Sequence, residues 1–414
     1  MRSGINTEIA LTYLLTRKKQ TGVAALGVTF GISMYIFMNS LVAGTNEYFE
    51  KITLSTTPHV RLYSDNEMSN ATMLSEYLKD STVKIISNPK LTASDNRVKD
   101  PFKLIHSLKS DKEVVALSAQ VSSNVIYTFG GVDRNGMVSG VNITEQDKMF
   151  DITSTMITGS VRDLENTPNG IIIGSGLADD LNAKKGSYIQ LAASNGMIKR
   201  VRVVGIFRTT IKNIDDTKSY TNIPIVEQLL KKDRSYITEI YINIKDHNQA
   251  PAFGRKIAKL TGYQAEDWQG ANEQSLAARK IRDVIANSVV VTILIVAGFG
   301  IYNILNMTIY EKIKEIAILK ATGFAGGHVV SIFLQQAIFI GLVGSFMGLS
   351  FGWVLSFLGS KFYIGLGNVN YLPIAFKLSH YIQGFVFGMV TTFFAGYIPA
   401  VKASKVDPVQ IIRG

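Results

Sequence analysis

Four stretches of this sequence, 20–46, 284–310, 321–360 and 378–401, contain no Asp, Glu, Lys or Arg. A membrane-spanning helix needs about 20 consecutive, mostly apolar residues, and each stretch exceeds that length. A helix buried in a water-soluble protein rarely stays uncharged for so long, because one face normally meets water. The chain therefore reads as an α-helical membrane protein with four transmembrane helices. Overall composition does not reveal this: 46% hydrophobic and 18% charged would also fit two or three soluble domains. The first stretch, preceded by Arg17, Lys18 and Lys19, could pass for a signal peptide. Its apolar run, Val23 to Ala43, is too long for a signal core, and three more spans follow, so it reads as a retained anchor.

The net charge of +11 divides by location. The segments 1–20, 311–323 and 402–414 together hold ten bases against four acids, whereas 47–283 is nearly balanced, with 31 bases and 28 acids. Basic residues flank spans on the cytoplasmic side, which places both termini inside and 47–283 outside. The positive charge then meets anionic lipid headgroups rather than nucleic acid. The chain has no cysteine, so neither disulfides nor thiolate metal sites can stabilise the outer part.

Along the chain, residues 1–20 read as an amphipathic helix on the cytoplasmic membrane surface and 21–45 as the first span. Residues 46–283 form a large extracytoplasmic mixed α/β domain. Short β-rich runs appear at 59–63, 114–119, 123–129, 170–173, 188–192, 199–208 and 236–244, with helical patterns at 101–108, 177–181 and 251–260. The order predicts a two-part, porter-like β-α-β sub-domain, with halves at about 46–120 and 236–272. A β-rich sub-domain is inserted at about 121–235. The polar stretch 65–100 reads as a mobile insertion. Residues 272–283 favour helix and run into the second span, 284–310. A third span follows at 328–358, then an outer loop at 359–379, a fourth span at 380–401 and a cytoplasmic tail at 402–414. Gly27 and Gly31 in the first span, and Gly344, Gly348 and Gly352 in the third, recur every four residues. Small residues so spaced let helices approach closely in lipid; lining a substrate path is the alternative.

Candidate chemistry is sparse. The five histidines, His59, His106, His247, His328 and His380, lack metal-ligand spacing, and no Gly-x-Ser-x-Gly elbow occurs. No catalytic or metal-binding residues are assigned. The run from Ile171 to Leu177 resembles the start of a dinucleotide-binding turn, but Asp179 occupies the third glycine position. It reads as a tight strand-to-helix turn. No P-loop is present, and the spans carry no ionisable group able to couple an ion gradient apart from the end-lying His328 and His380. Energy must enter from a partner, and 311–323 is the place for it. Ile316, Leu319 and Lys320 fall on one face of a short helix that Gly323 would end. That segment is either a solvated turn or a helix that docks into a groove on an ATPase.

The run from Glu315 to Gly323 (EIAILKATG) resembles the coupling helix of FtsX-like permeases, the MacB and LolC/LolE group of ABC transporters. Residues 170–181 with 185–187, 203–207 and 399–408 resemble further segments of the same family, in the same order. The resemblance implies a permease without its own ATP-binding motif that dimerises with itself or a related permease. It implies two copies of a cytoplasmic ATPase, which carry the ATP and Mg, so no cofactor is expected on this chain. Closure of that ATPase would be coupled through Glu311, Lys312, Glu315, Ile316, Leu319, Lys320 and Gly323 to motion of the periplasmic domain, a mechanism called mechanotransmission. Architecture is closest to the LolC/LolE type, which implies an inner-membrane protein that releases lipoproteins to a periplasmic carrier. The docking hook of that type would lie at 193–197, and here that link is short, with Asn195-Gly196 reading as a tight hairpin turn. Two other functions stay open: a tripartite exporter of drugs, peptides or lipids working with a periplasmic adaptor, and an FtsX-like regulator of cell-wall hydrolases.

Overall fold

The computed structural model describes residues 2–64, 97–209, 211–366 and 369–413. Up to residue 96, the stretch read as a mobile insertion lies outside them. The chain divides into two compact units, one of Met1–Phe49 and Ser275–Gly414, the other of Glu50–Gln274. Residues 46–49 and 275–283, assigned from sequence to the outer domain, belong to the first unit because they simply continue its helices.

That unit is helical. A helix α1 (Arg2–Thr16) leads into α2 (Lys18–Thr56), and α3 (Glu273–Glu311), α4 (Ile313–Ala321), α5 (Gly326–Ser360), α6 (Leu378–Ser404) and α7 (Pro408–Arg413) complete it. Among the described residues four helices are long and apolar enough to span a membrane: α2, α3, α5 and α6. At 1.5 Å per residue the 39-residue α2 and α3 are each about 58 Å long, against a hydrocarbon core of about 30 Å. Both are therefore longer than a membrane crossing requires.

Val28, Ile32 and Ile36 of α2 form the centre of the helix bundle, against Ile301 and Leu305 of α3. Glycines bring α5 to within backbone reach of α2. A methyl group on Gly344 would lie 2.7 Å from Val28 Cβ, one on Gly348 2.8 Å from Ile32 Cβ, and one on Gly352 3.0 Å from Ile36 Cβ. Three contacts rising in step make this a parallel seam. In α2, a methyl group on Gly31 would lie 3.4 Å from Ala297 Cβ of α3, but one on Gly27 would meet nothing within 4 Å. The close approach expected at both glycines is made at Gly31 and not at Gly27.

In the other unit, strands β1 (Val60–Tyr63), β2 (Val114–Phe129), β3 (Val132–Val141), β4 (Met156–Thr158), β5 (Gly170–Gly174), β6 (Tyr188–Ala193), β7 (Ile198–Phe207), β8 (Lys218–Asn222), β9 (Glu239–Ile244) and β10 (Gln264–Asp267) form one connected sheet. Its first part runs β10-β1-β9-β2, with β1 antiparallel to both neighbours and β9 antiparallel to β2. This is an interleaved pair of β-α-β halves. Alternation places Val60, Leu62, Ile240, Ile242 and Ile244 on one buried face, which helices Pro101–Lys109 and Ala250–Thr261 cover.

The second part closes on itself: β2 pairs β3, β3 pairs β8, β8 pairs β5, β5 pairs β7, β7 pairs β6, and β6 returns to β2. Closure removes the free edges that an inserted sheet would otherwise expose. Inside, the Tyr127 and Ser219 hydroxyls lie 2.6 Å apart. The runs read from sequence as separate strands at 114–119 and 123–129 are a single 16-residue strand. Its first half belongs to the β-α-β sheet and its second half to the barrel, so the boundary expected near 120 falls inside a strand. Strand β3, absent from the sequence reading, carries Asp133, Arg134, Asn135 and Gly136, which hide its β character. A two-residue Gly130-Gly131 turn, both at positive φ, joins it to β2. The glycine run 170–176 is a tight strand-to-helix turn, with the Asp215 carbonyl against Gly174 and the Asp216 carboxylate against Gly176.

At one end of this unit, His59 Nδ1 lies 3.1 Å from the Ile244 N–H and 3.0 Å from the Ile244 carbonyl, while its ring packs 5.9 Å from that of His247. Burial, and then the neighbouring His247, push the His59 pKa below the usual 6.5. A histidine held neutral by the fold stabilises it above the unfolded-state value of about 6.5, and that contribution is lost as pH falls through the folded value. The thermal midpoint of this unit is therefore expected to drop as pH falls below about 6.5, and His59→Gln to remove the drop. Trp268 fluorescence in a Trp353→Phe background reads it; a wild-type midpoint that is flat with pH would contradict it.

Candidate coupling site

The segment linking α3 to α5 is built around α4. Its end is fixed by a glycine: Gly323 takes φ +96°, with Gly323 N–H donating to Lys320 O at 3.1 Å and Phe324 N–H to Leu319 O at 3.1 Å. This pair of bonds is the Schellman stop, which needs a left-handed residue where glycine stands. At the other end Glu315 sits in the first turn, where the helix dipole favours an anion.

Two sets of contacts hold α4 to the rest of the helical unit, and an ion pair holds the adjoining end of α3. Tyr13 of α1 donates its hydroxyl to Glu315 Oε2 at 3.0 Å, and Lys312 bonds Glu315 Oε1 while its ammonium lies 5.1 Å from the Tyr13 ring centre. Arg17, between α1 and α2, is ion-paired with Glu311 at the end of α3. Lys320 donates to the carbonyls of Ser404 at 2.9 Å and Val406 at 2.6 Å, just where α6 ends. The Lys312 hydrogen bond holds the Glu315 carboxyl below the usual carboxylate range, against the opposing effect of burial. Burial foremost, then the Glu315 hydrogen bond, pushes the Tyr13 hydroxyl up, so it remains a donor.

Underneath, Ile316 is fully buried among Ile309, Val329, Phe333, Ala400 and Ala403, and Ala317 beside it is also fully buried. This corrects the face assigned from sequence. Ile316 and Lys320 point into the protein and Leu319 is half-buried, so these three do not form the exposed side. That side consists of Glu311, Lys314, Glu315, Ile318, Ala321 and Thr322. Ile318, 55% exposed, is its one large apolar residue. The signal was present: the inward stripe accounts for Ile316, Ala317 and Lys320 and leaves Ile318 out of phase. Tyr13, Arg17 and the carbonyls of 404 and 406 could not be assigned from sequence, since each is distant along the chain from the residue it holds.

Among the described residues no group of three His, Cys, Asp or Glu side chains could hold a metal ion. Helix α4 is a short helix tied to α1 and to the end of α6, with one bare face.

Residues 21–260 match the family described as MacB-like periplasmic core domain, and residues 287–408 match the FtsX-like permease C-terminal family. Similar relatives include the lipoprotein-releasing system transmembrane protein LolC of Neisseria meningitidis serogroup B, 24% identical over 98% of each chain. An uncharacterised ABC transporter permease of Bacillus subtilis, YknZ, is 22% identical over 99% of this chain and 98% of its own. Among solved structures, the periplasmic region of MacB from Actinobacillus actinomycetemcomitans is 13% identical and covers 54% of this chain and 94% of its own, with a TM-score of 0.33.

Proposed function

This chain belongs to the family of FtsX-like permeases that carry a MacB-like periplasmic core domain, and from that premise we propose that it couples a separate cytoplasmic ATPase to movement of its outer domain. The observation that carries the reading is α4 itself, held at two points by its own chain, Glu315 and Lys320, yet bare along Lys314, Ile318 and Ala321. A helix fixed this firmly transmits displacement rather than absorbing it. Closure of two ATPase copies would press α4, and the continuous rods of α2 and α3 would carry the motion outward. Of the four spans α3 is the least covered by its own chain, which leaves a side free for pairing with a second permease copy or a related permease. The basic flanks support an inner-membrane orientation with both termini and α4 in the cytoplasm.

For the substrate, the relation to LolC supports release of lipoproteins from the inner membrane toward a periplasmic carrier. One observation favours a tripartite exporter with a periplasmic adaptor instead. The β6–β7 link is a tight turn, with Gly196 at φ +79° and Gly196 N–H donating to Ala193 O at 3.0 Å, and it leaves no projecting hook for a carrier.

Ile318→Asp is expected to abolish permease-stimulated ATP hydrolysis in proteoliposomes containing the ATPase, with membrane insertion unchanged. Placing an unpaired carboxylate at the centre of a desolvated contact typically costs about 2–5 kcal/mol, or roughly 30- to 5000-fold in affinity. Wild-type stimulation in Ile318→Asp would exclude this face as the docking surface.

A further inference from the structure

Beside the glycine seam, α2 and α5 leave an apolar groove whose two parts meet. The inner part, about 370 Å³, is bordered by Leu11 and Leu14 of α1, by Val343 of α5 and, at its end, by Lys18. The outer part, about 570 Å³, is bordered by Phe346, Phe351 and Val354. Leu26 and Met347 line both, so the space is continuous. Lys18 is the one charged residue among those that line it, and Arg17 and Lys19 flank it in sequence. From Phe339 to Val354 the α5 wall extends about 22 Å at 1.5 Å per residue. One leaflet contributes about half of a 30 Å hydrocarbon core, or ~15 Å.

A groove with apolar walls, a length that takes one extended lipid chain and a single cation at its surface end matches one ligand chemistry. We propose that it seats an acyl chain of an anionic phospholipid, with the lipid phosphate at Lys18. Apolar walls alone would accept any lipid chain, so selectivity comes from the ammonium. Seated there, the lipid would wedge α1 against α2 and α5, and α1 carries the Tyr13 that bonds Glu315. The proposal depends neither on the transported substrate nor on which side of the membrane α1 occupies.

The test equilibrates the full chain in detergent with equimolar phosphatidylglycerol and phosphatidylcholine, then counts retained lipids by native mass spectrometry. Wild type is expected to retain phosphatidylglycerol about 5-fold over phosphatidylcholine, the ratio a single surface cation supplies. Lys18→Gln should bring that ratio close to one, whereas Lys19→Gln, outside the groove, should leave it largely intact. Met347→Trp, which fills the junction of the two parts, should remove about one lipid per chain. The chain has no cysteine, so Leu26→Cys, alkylated after purification with a bulky maleimide, repeats the filling test on protein already folded. Equal retention of the two lipids by wild type overturns the proposal, as does an equal effect of the two lysine substitutions or full lipid retention after alkylation. A disulfide-linked dimer through Leu26→Cys in vesicles would also overturn it, because a second copy would then occupy the groove.

Discussion

Replacing Gly348 by leucine is expected to break the seam between α2 and α5 and to lower the thermal midpoint of the detergent-solubilised chain by several degrees. Even a methyl group there would lie 2.8 Å from Ile32 Cβ and 3.1 Å from the Thr29 carbonyl. Neither atom can rotate aside, since one is fixed to the backbone of α2 and the other belongs to it. Overpacking of this kind costs about 1–3 kcal/mol, and leucine adds three more carbons. Lipid offers no compensation: tails are as apolar as leucine, so membrane helices stay together through close packing rather than through exclusion from water. Gly344→Leu should behave alike, with Val28 Cβ at 2.7 Å and the Ala25 carbonyl at 2.9 Å. The control is Gly27→Leu, with nothing within 4 Å, where a change within about 0.5 kcal/mol is expected. Equal midpoints for Gly348→Leu and Gly27→Leu would remove the seam from the account.

Lys320→Met should uncouple the chain without unfolding it. The Lys320 ammonium joins α4 to the end of α6 through two carbonyls, Ser404 at 2.9 Å and Val406 at 2.6 Å. Hydrogen bonds to a charged group contribute about 1.5–3 kcal/mol each, and a cation at a helix C-terminus is further favoured by the dipole. Methionine keeps the apolar stem and removes the charge, so Ile316 and Ala317 stay packed while the tether is lost. Under the proposed function, ATPase stimulation in proteoliposomes should fall at least about 10-fold, the equivalent of 1.4 kcal/mol. Lys320→Arg, which can still reach a carbonyl, should retain part of it. Full stimulation by Lys320→Met would show that force does not pass through this tether.

Most of the architecture was legible because charge and periodicity are local properties. The four apolar stretches, the β-α-β halves and the stop at Gly323 are each written within a few turns of chain. The barrel was only partly legible. Strand β3 looks like a loop, and its place depends on Gly136 and Gly140, where Cβ atoms would meet the Thr217 carbonyl and Val226. The continuity of β2 was hidden for a related reason: nothing in the sequence around Gln120 marks one strand passing from the first sheet to the barrel.

The coupling segment divides the same way. Sequence alone pointed to a short amphipathic helix within 311–323 that would end at glycine, because helix propensity, phase and a left-handed stop are fixed by neighbouring residues. Which face is bare was decided only by the tertiary structure. Ile316 and Ile318 are equally apolar, and two residues apart they point to opposite sides of a helix. The choice between them was made by Phe333, Ala400 and Ala403 beneath Ile316, and by the Ser404 and Val406 carbonyls that take Lys320. Those groups lie as far as 86 positions along the chain, and only the packing of α5 and α6 brings them there.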